Sequence, residues 1–223
     1  MKTLELIETG FIGQQRGPAA EDHQKILKKT FDLMSSQQME AFKVDQESEP
    51  VKQRYGDNAF GRGCLMARRL VEVGVPFIEV DLGGWDNHNG IHNTLSTGLL
   101  PTLDRAMSAL VEDLEQRQRL KDTVIIWMGE FGRTPIINAN AGRDHWARCW
   151  SVVVGGGDLK GGLAVGATDP EGRQVTSEPY AAEDLMATVC HGLGISLETT
   201  YQSKNGRPMK IANGGKLIRE LMS

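Results

Sequence analysis

Aspartate and histidine stand two apart in Trp85-Asp86-Asn87-His88 and side by side in Gly142-Arg143-Asp144-His145-Trp146. On loops, such residues can turn carboxylate oxygens and imidazole nitrogens toward one point, a donor set that suits Zn, Mn and similar divalent ions. Between them lies Gly129-Glu130-Phe131-Gly132-Arg133-Thr134-Pro135. Glu130 directly follows an apolar run, so its carboxylate must be solvated, paired or bound to a cation. Arg133 is near enough in sequence to pair with it, or its planar fork can clamp a phosphate or sulfate. Asp144 can serve as a ligand or orient an imidazole from behind. Each group also has a plainer reading. Trp85 to Gly90 is good turn composition, Glu130 and Arg133 can form a simple ion pair, and Asp144 can pair with Arg143 or Arg148. His92 reads as an exposed residue before a helix and His191 as a packed or surface one. Gly155-Gly156-Gly157 lacks both phosphate-loop endings and reads as a turn.

The elements that must position these groups are visible in the periodicity. Val124-Ile125-Ile126-Trp127-Met128 is an apolar, partly β-branched run that reads as a strand buried on both faces, delivering Glu130 and Arg133 from its end. Val75 to Leu82 reads as a second strand, ending at Asp86 and His88. Ligands in open α/β sheets bind outside such carboxyl ends. Leu99, Leu100, Leu103, Met107, Leu110, Val111 and Leu114 form a helical stripe, with Pro101 suited to its first turn. Further helices are expected over Glu21 to Phe42, Gly61 to Gly74 and Ala181 to Leu193. Trp150 to Gly155 reads as a third strand, and Leu163 to Val175 as a short hairpin. The alternation of helix and strand from Gly61 to Leu193 points to an α/β layered fold with a largely parallel sheet. Residues 1–58 read as a helical extension and connector, and 59–223 as the α/β domain.

Composition narrows the function classes. A formal net charge of -4 with mixed signs gives no nucleic-acid surface. No apolar run approaches a bilayer span. Met1-Lys2-Thr3-Leu4-Glu5 has neither the basic start nor the apolar core of a signal peptide. Cys64, Cys149 and Cys190 are too scattered for a disulfide framework or a zinc-thiolate cluster.

From about Ala41 onward the chain resembles the bacterial domain-of-unknown-function 1501 family, placed in the alkaline phosphatase and sulfatase superfamily. The matching words are Tyr55-Gly56 with Phe60-Gly61, Ala67-Arg68-Arg69-Leu70-Val71-Glu72, Gly84-Trp85-Asp86-Asn87-His88 and Gly98-Leu99-Leu100-Pro101. They continue in Gly129 to Pro135 and Gly142 to Trp146. The resemblance implies a three-layer alkaline phosphatase-like fold, matched in its C-terminal part, with a sheet short of strands. It implies Asp86 and His88 at a first metal position, Glu130 at a second, and His145 returning to the first, with Asp144 beside it. Glu130-Phe131 stands where most relatives of the superfamily carry Asp-His. The ion would be Zn, Mn or Ca, and Arg133 a catalytic oxyanion clamp. The implied function is a metal-dependent hydrolase domain acting on small-molecule or glycan esters of phosphate or sulfate. The alternative is a non-catalytic binding or assembly module. A sheet edge left open calls for self-association or a separate N-terminal half, and full-length relatives are often exported.

Overall fold

Helix α1 (Pro18–Met34) comes first in the computed structural model, which describes residues 18–34 and 36–222; Met1 to Glu5 lie outside them. Helix α2 (Glu49–Tyr55) and helix α3 (Ala59–Glu72) follow, the latter starting two residues before the expected Gly61. The Asn58 side chain accepts from the Gly61 amide at 2.9 Å and sets that start. Gly74, at φ +81°, closes the helix as its sequence predicts. Helix α4 (Ile91–Thr94) passes through a π-helical turn, Leu95–Leu99, into α5 (Leu100–Gln116), with Pro101 in its first turn.

α3 and α5 form the main packed pair. Cys64 and Leu65 of α3 meet Ala106 and Ala109 of α5 in one core cluster. Val44 and Tyr55 belong to that same cluster, so the connector packs across residue 58 into the helices beyond it. Arg68 of α3 is fully buried. Glu47, Glu72 and Asp113 surround its guanidinium, and the Tyr55 hydroxyl donates to Asp113 at 2.8 Å. Charges withdrawn from water this far are tolerated only in such company.

The sheet differs from the expected one. Strand β1 (Val124–Trp127) pairs antiparallel with β4 (Val153–Gly156), placing Trp127 opposite Val153. Between them, β2 (Gly132–Arg133) and β3 (His145–Trp146) form a second antiparallel pair. After α6 (Ala182–Gly192), β5 (Thr200–Gln202) and β6 (Pro208–Lys210) form a third. The described residues are therefore mixed α and β with three small antiparallel sheets, and the largely parallel sheet is not among them. The reason lies in Phe77 to Leu82. That segment is extended, and its residues alternate between half-buried Ile78, Val80 and Leu82 and exposed Phe77, Glu79 and Asp81. Val80 packs against the α3–α5 core, and among the described residues the segment joins no ladder. β1 consequently has one partner rather than two, and its burial falls short of the two-sided burial read from its apolar run. The expected hairpin over Leu163 to Val175 reduces to one bridge between Thr168 and Val175. Among the described residues no helix is long and apolar enough to cross a membrane.

Candidate metal centre

Three loops meet at one point. The turn at Asp86 is held by Asn87, whose side chain donates to the Gly84 carbonyl at 2.9 Å. The β2–β3 ladder sets Arg133 directly opposite His145, so both side chains leave the same face. The loop from Asn138 to Arg143 is sewn to the His88 loop by amide bonds from Gly90 to Asn140, Ile91 to Ala141 and Arg143 to Asn87, 2.8 to 3.0 Å long. Two glycines permit this approach. A Cβ at Gly142 would collide with the His88 backbone, and one at Gly132 with the Cys149 carbonyl.

Asp86, His88 and His145 each present one ligand atom, all within 4.8 Å of one another. Asp86 Oδ1 lies 3.0 Å from His88 Nε2 and 2.9 Å from His145 Nε2, and the two nitrogens are 3.3 Å apart. Ligands about 2.0–2.1 Å from a tetrahedral ion are separated from each other by roughly 3.3 Å, so this triangle has the dimensions of one face of such a site. His88 Nδ1 donates to Asp144 Oδ1 at 2.7 Å, which turns the Nε2 lone pair of the neutral ring inward. A carboxylate oxygen and an imidazole lone pair facing each other at 3.0 Å need positive charge between or beside them. Arg133 supplies part of it, donating from Nη1 to Asp86 Oδ1 at 2.5 Å.

The electrostatics follow from these contacts. Hydrogen bonds from His145 and then Arg133 hold the Asp86 carboxyl down at about 2. The bond to Asp144 raises His88 above its ordinary value, and the same bond lowers Asp144. All of these groups are open to solvent, so their fields are screened.

The sequence-predicted residues thus separate into two sets. Asp86, His88 and His145 converge. Asp144 stands behind His88 rather than beside His145. Glu130 stays outside the triangle, exposed, with its carboxylate 3.8 Å from Arg133 Nη2. Two neighbours escaped the sequence reading. Asn138 donates to Asp144 Oδ1 at 3.2 Å and to the His88 carbonyl at 3.1 Å, while its own Oδ1 accepts the Asn140 and Gly142 amides. Its only signal was turn composition in Asn138-Ala139-Asn140-Ala141-Gly142. The Phe131 ring lies 4.6 Å from that of His145, tilted by 49°, and limits where the imidazole can turn.

The family described as Protein of unknown function (DUF1501) matches residues 1–222, and the chain belongs to that family. The match takes in the first forty residues, which the motif words leave out. Neither a curated protein nor a solved structure matches the chain.

Proposed function

We propose that this DUF1501 member binds one divalent metal ion on Asp86, His88 and His145, in a centre of the kind that hydrolyses phosphate or sulfate esters. The observation that carries the reading is the convergence of the three ligand atoms within 4.8 Å with His88 fixed from behind by Asp144. A carboxylate–histidine pair of that sort is how proteins orient a metal-binding imidazole. Two imidazoles and one carboxylate favour Zn or Mn over Ca, which takes oxygen ligands. Bound there, the ion supplies Lewis acidity toward an ester oxygen. His145 and then Arg133 hold the Asp86 carboxyl down, and Arg133 offers a guanidinium beside the centre for an anionic ester. The relation to the alkaline phosphatase and sulfatase superfamily, with its three-layer parallel sheet, and the match to its C-terminal part belong to the same proposal. They rest on the order of the Asp86 loop, amphipathic α5, β1 and the His145 loop.

A second reading, a binding or assembly module that holds metal without turnover, is favoured by one observation. Thr134 is the hydroxyl inside the central motif, and it is engaged in structure. It donates to the Ile136 carbonyl at 2.9 Å and accepts the Asp144 amide at 3.1 Å, and neither backbone partner is a base that could activate it.

The test begins with metal content after purification without chelators, then turnover of aryl phosphates and sulfates with added Zn or Mn. One equivalent of metal, lost in Asp86→Ala and His145→Ala, is expected. Turnover is expected to be weak and unchanged by Thr134→Ala. Metal at full occupancy with no turnover selects the binding module. A chain that takes up no metal refutes both readings.

A further inference from the structure

An apolar concavity of about 700 Å³ is walled by Leu100, Pro101, Leu103 and Met107 of α5 and by Trp127 and Val153 of the β1–β4 pair. We infer that this cleft holds the hydrocarbon part of the ligand, so that the ligand class is an amphipathic ester with its anionic head at the metal. The inference rests on the reading of the centre given above and adds the substrate class.

Four observations carry it. First, an aromatic contact links the cleft wall to the turn that carries Asp86: Trp127 packs against Trp85 with centroids 6.5 Å apart, and Trp85 directly precedes Asp86. The Leu99 side chain at the mouth of α5 approaches Gly84 in the same turn. Second, Trp127 and Val153 are cross-strand partners, so they present one face, and they remain 40% and 45% exposed, with Leu100 at 45%. Apolar groups gathered in a concavity of this volume are the usual lining of a small-molecule site. Third, the one charged residue of the lining is Asp104. A carboxylate there repels an anionic head and leaves the cleft to the uncharged part of the molecule. Fourth, the turn that leads into this wall, Leu95–Leu99, is π-helical, and Ser96 of that turn lines the cleft. A π turn distorts a helix where a site needs room, and such turns occur frequently at functional sites.

Binding of methyl, butyl and octyl phosphate to the zinc-loaded full chain, measured calorimetrically below micellar concentrations, tests this. Affinity is expected to rise with chain length, by at most roughly fourfold per methylene, and the tryptophan fluorescence to shift to the blue with octyl phosphate. Met107→Gln and Val153→Thr, two polar changes of similar size, are expected to weaken octyl phosphate far more than methyl phosphate. Equal affinity along the series, with metal and methyl phosphate still bound, overturns the inference and leaves the metal centre standing. Octyl phosphate bound equally with and without zinc overturns it too, since the cleft would then be uncoupled from the centre. Self-association in sedimentation that excludes octyl phosphate assigns the cleft to a second copy and overturns it. Failure to bind zinc at all sinks the reading of the centre and this inference with it.

Discussion

Replacing Asp144 with asparagine is expected to weaken zinc binding about tenfold, and replacing it with alanine up to about 100-fold, the range in which partners behind a metal-bound histidine act. The difference between the two follows from the contacts. Asp144 Oδ1 takes the His88 Nδ1 proton at 2.7 Å and the Asn138 amide at 3.2 Å. An asparagine oxygen keeps both acceptor contacts and loses only the charge, so His88 stays oriented but becomes a weaker base. Alanine removes the acceptor, and the ring is then free to rotate or to exchange tautomers. Neither change touches the backbone ladder between Thr134 and Asp144, in which the Thr134 amide donates to the Asp144 carbonyl at 2.8 Å, so the loop itself persists. The assay is competition for zinc against a chromophoric chelator at fixed pH, with melting curves in excess chelator to verify that the apoprotein fold is unchanged. Two results would refute the reasoning: affinity unchanged in Asp144→Ala while His88→Ala abolishes binding, or Asp144→Asn as damaging as His88→Ala.

Gly142→Ala is expected to abolish metal binding while leaving the α3–α5 core intact, because the added methyl collides with the His88 backbone; zinc titration and melting of the same sample separate the two effects. Tyr55→Phe removes a buried donor to the Asp113 carboxylate and is expected to cost about 1.5–3 kcal/mol in urea denaturation. Burial on its own would raise Glu47, but Arg69 and Arg68 outweigh it and hold the carboxyl below 4.5. The stability that Glu47 contributes is therefore complete above its unfolded value near 4.5 and is lost as pH falls through the lower folded one. Urea midpoints from pH 7 to 3 should fall less steeply at the acid end for Glu47→Gln than for the parent chain, and parallel curves would show that Glu47 carries none of the dependence.

The sequence by itself determined whatever depends on neighbours a few residues away. The stripe from Leu99 to Leu114 and Pro101 specify α5, Gly74 ends α3, and the β-branched run from Val124 specifies β1, because propensity and periodicity act over one or two turns. The residue types at Asp86, His88, Glu130, Asp144 and His145 offered candidate donors before any geometry, and only the tertiary structure separated the three that converge from the other two. Pairing was decided elsewhere. Phe77 to Leu82 has strand composition yet sets Val80 on the helical core, and β1 finds β4 running the opposite way; nothing within either segment encodes that choice, since the partners lie far apart in the chain. The same holds inside the centre. Sequence proximity pairs Arg133 with Glu130, and that contact is present at 3.8 Å, but the opposition of Arg133 and His145 across β2–β3 also brings the guanidinium to Asp86 at 2.5 Å. Asp144 neighbours His145 in the chain and hydrogen-bonds His88, because a glycine at 142 lets the two loops approach. Residue chemistry is local, whereas the direction in which a side chain points is set by the long-range register of the backbone that carries it.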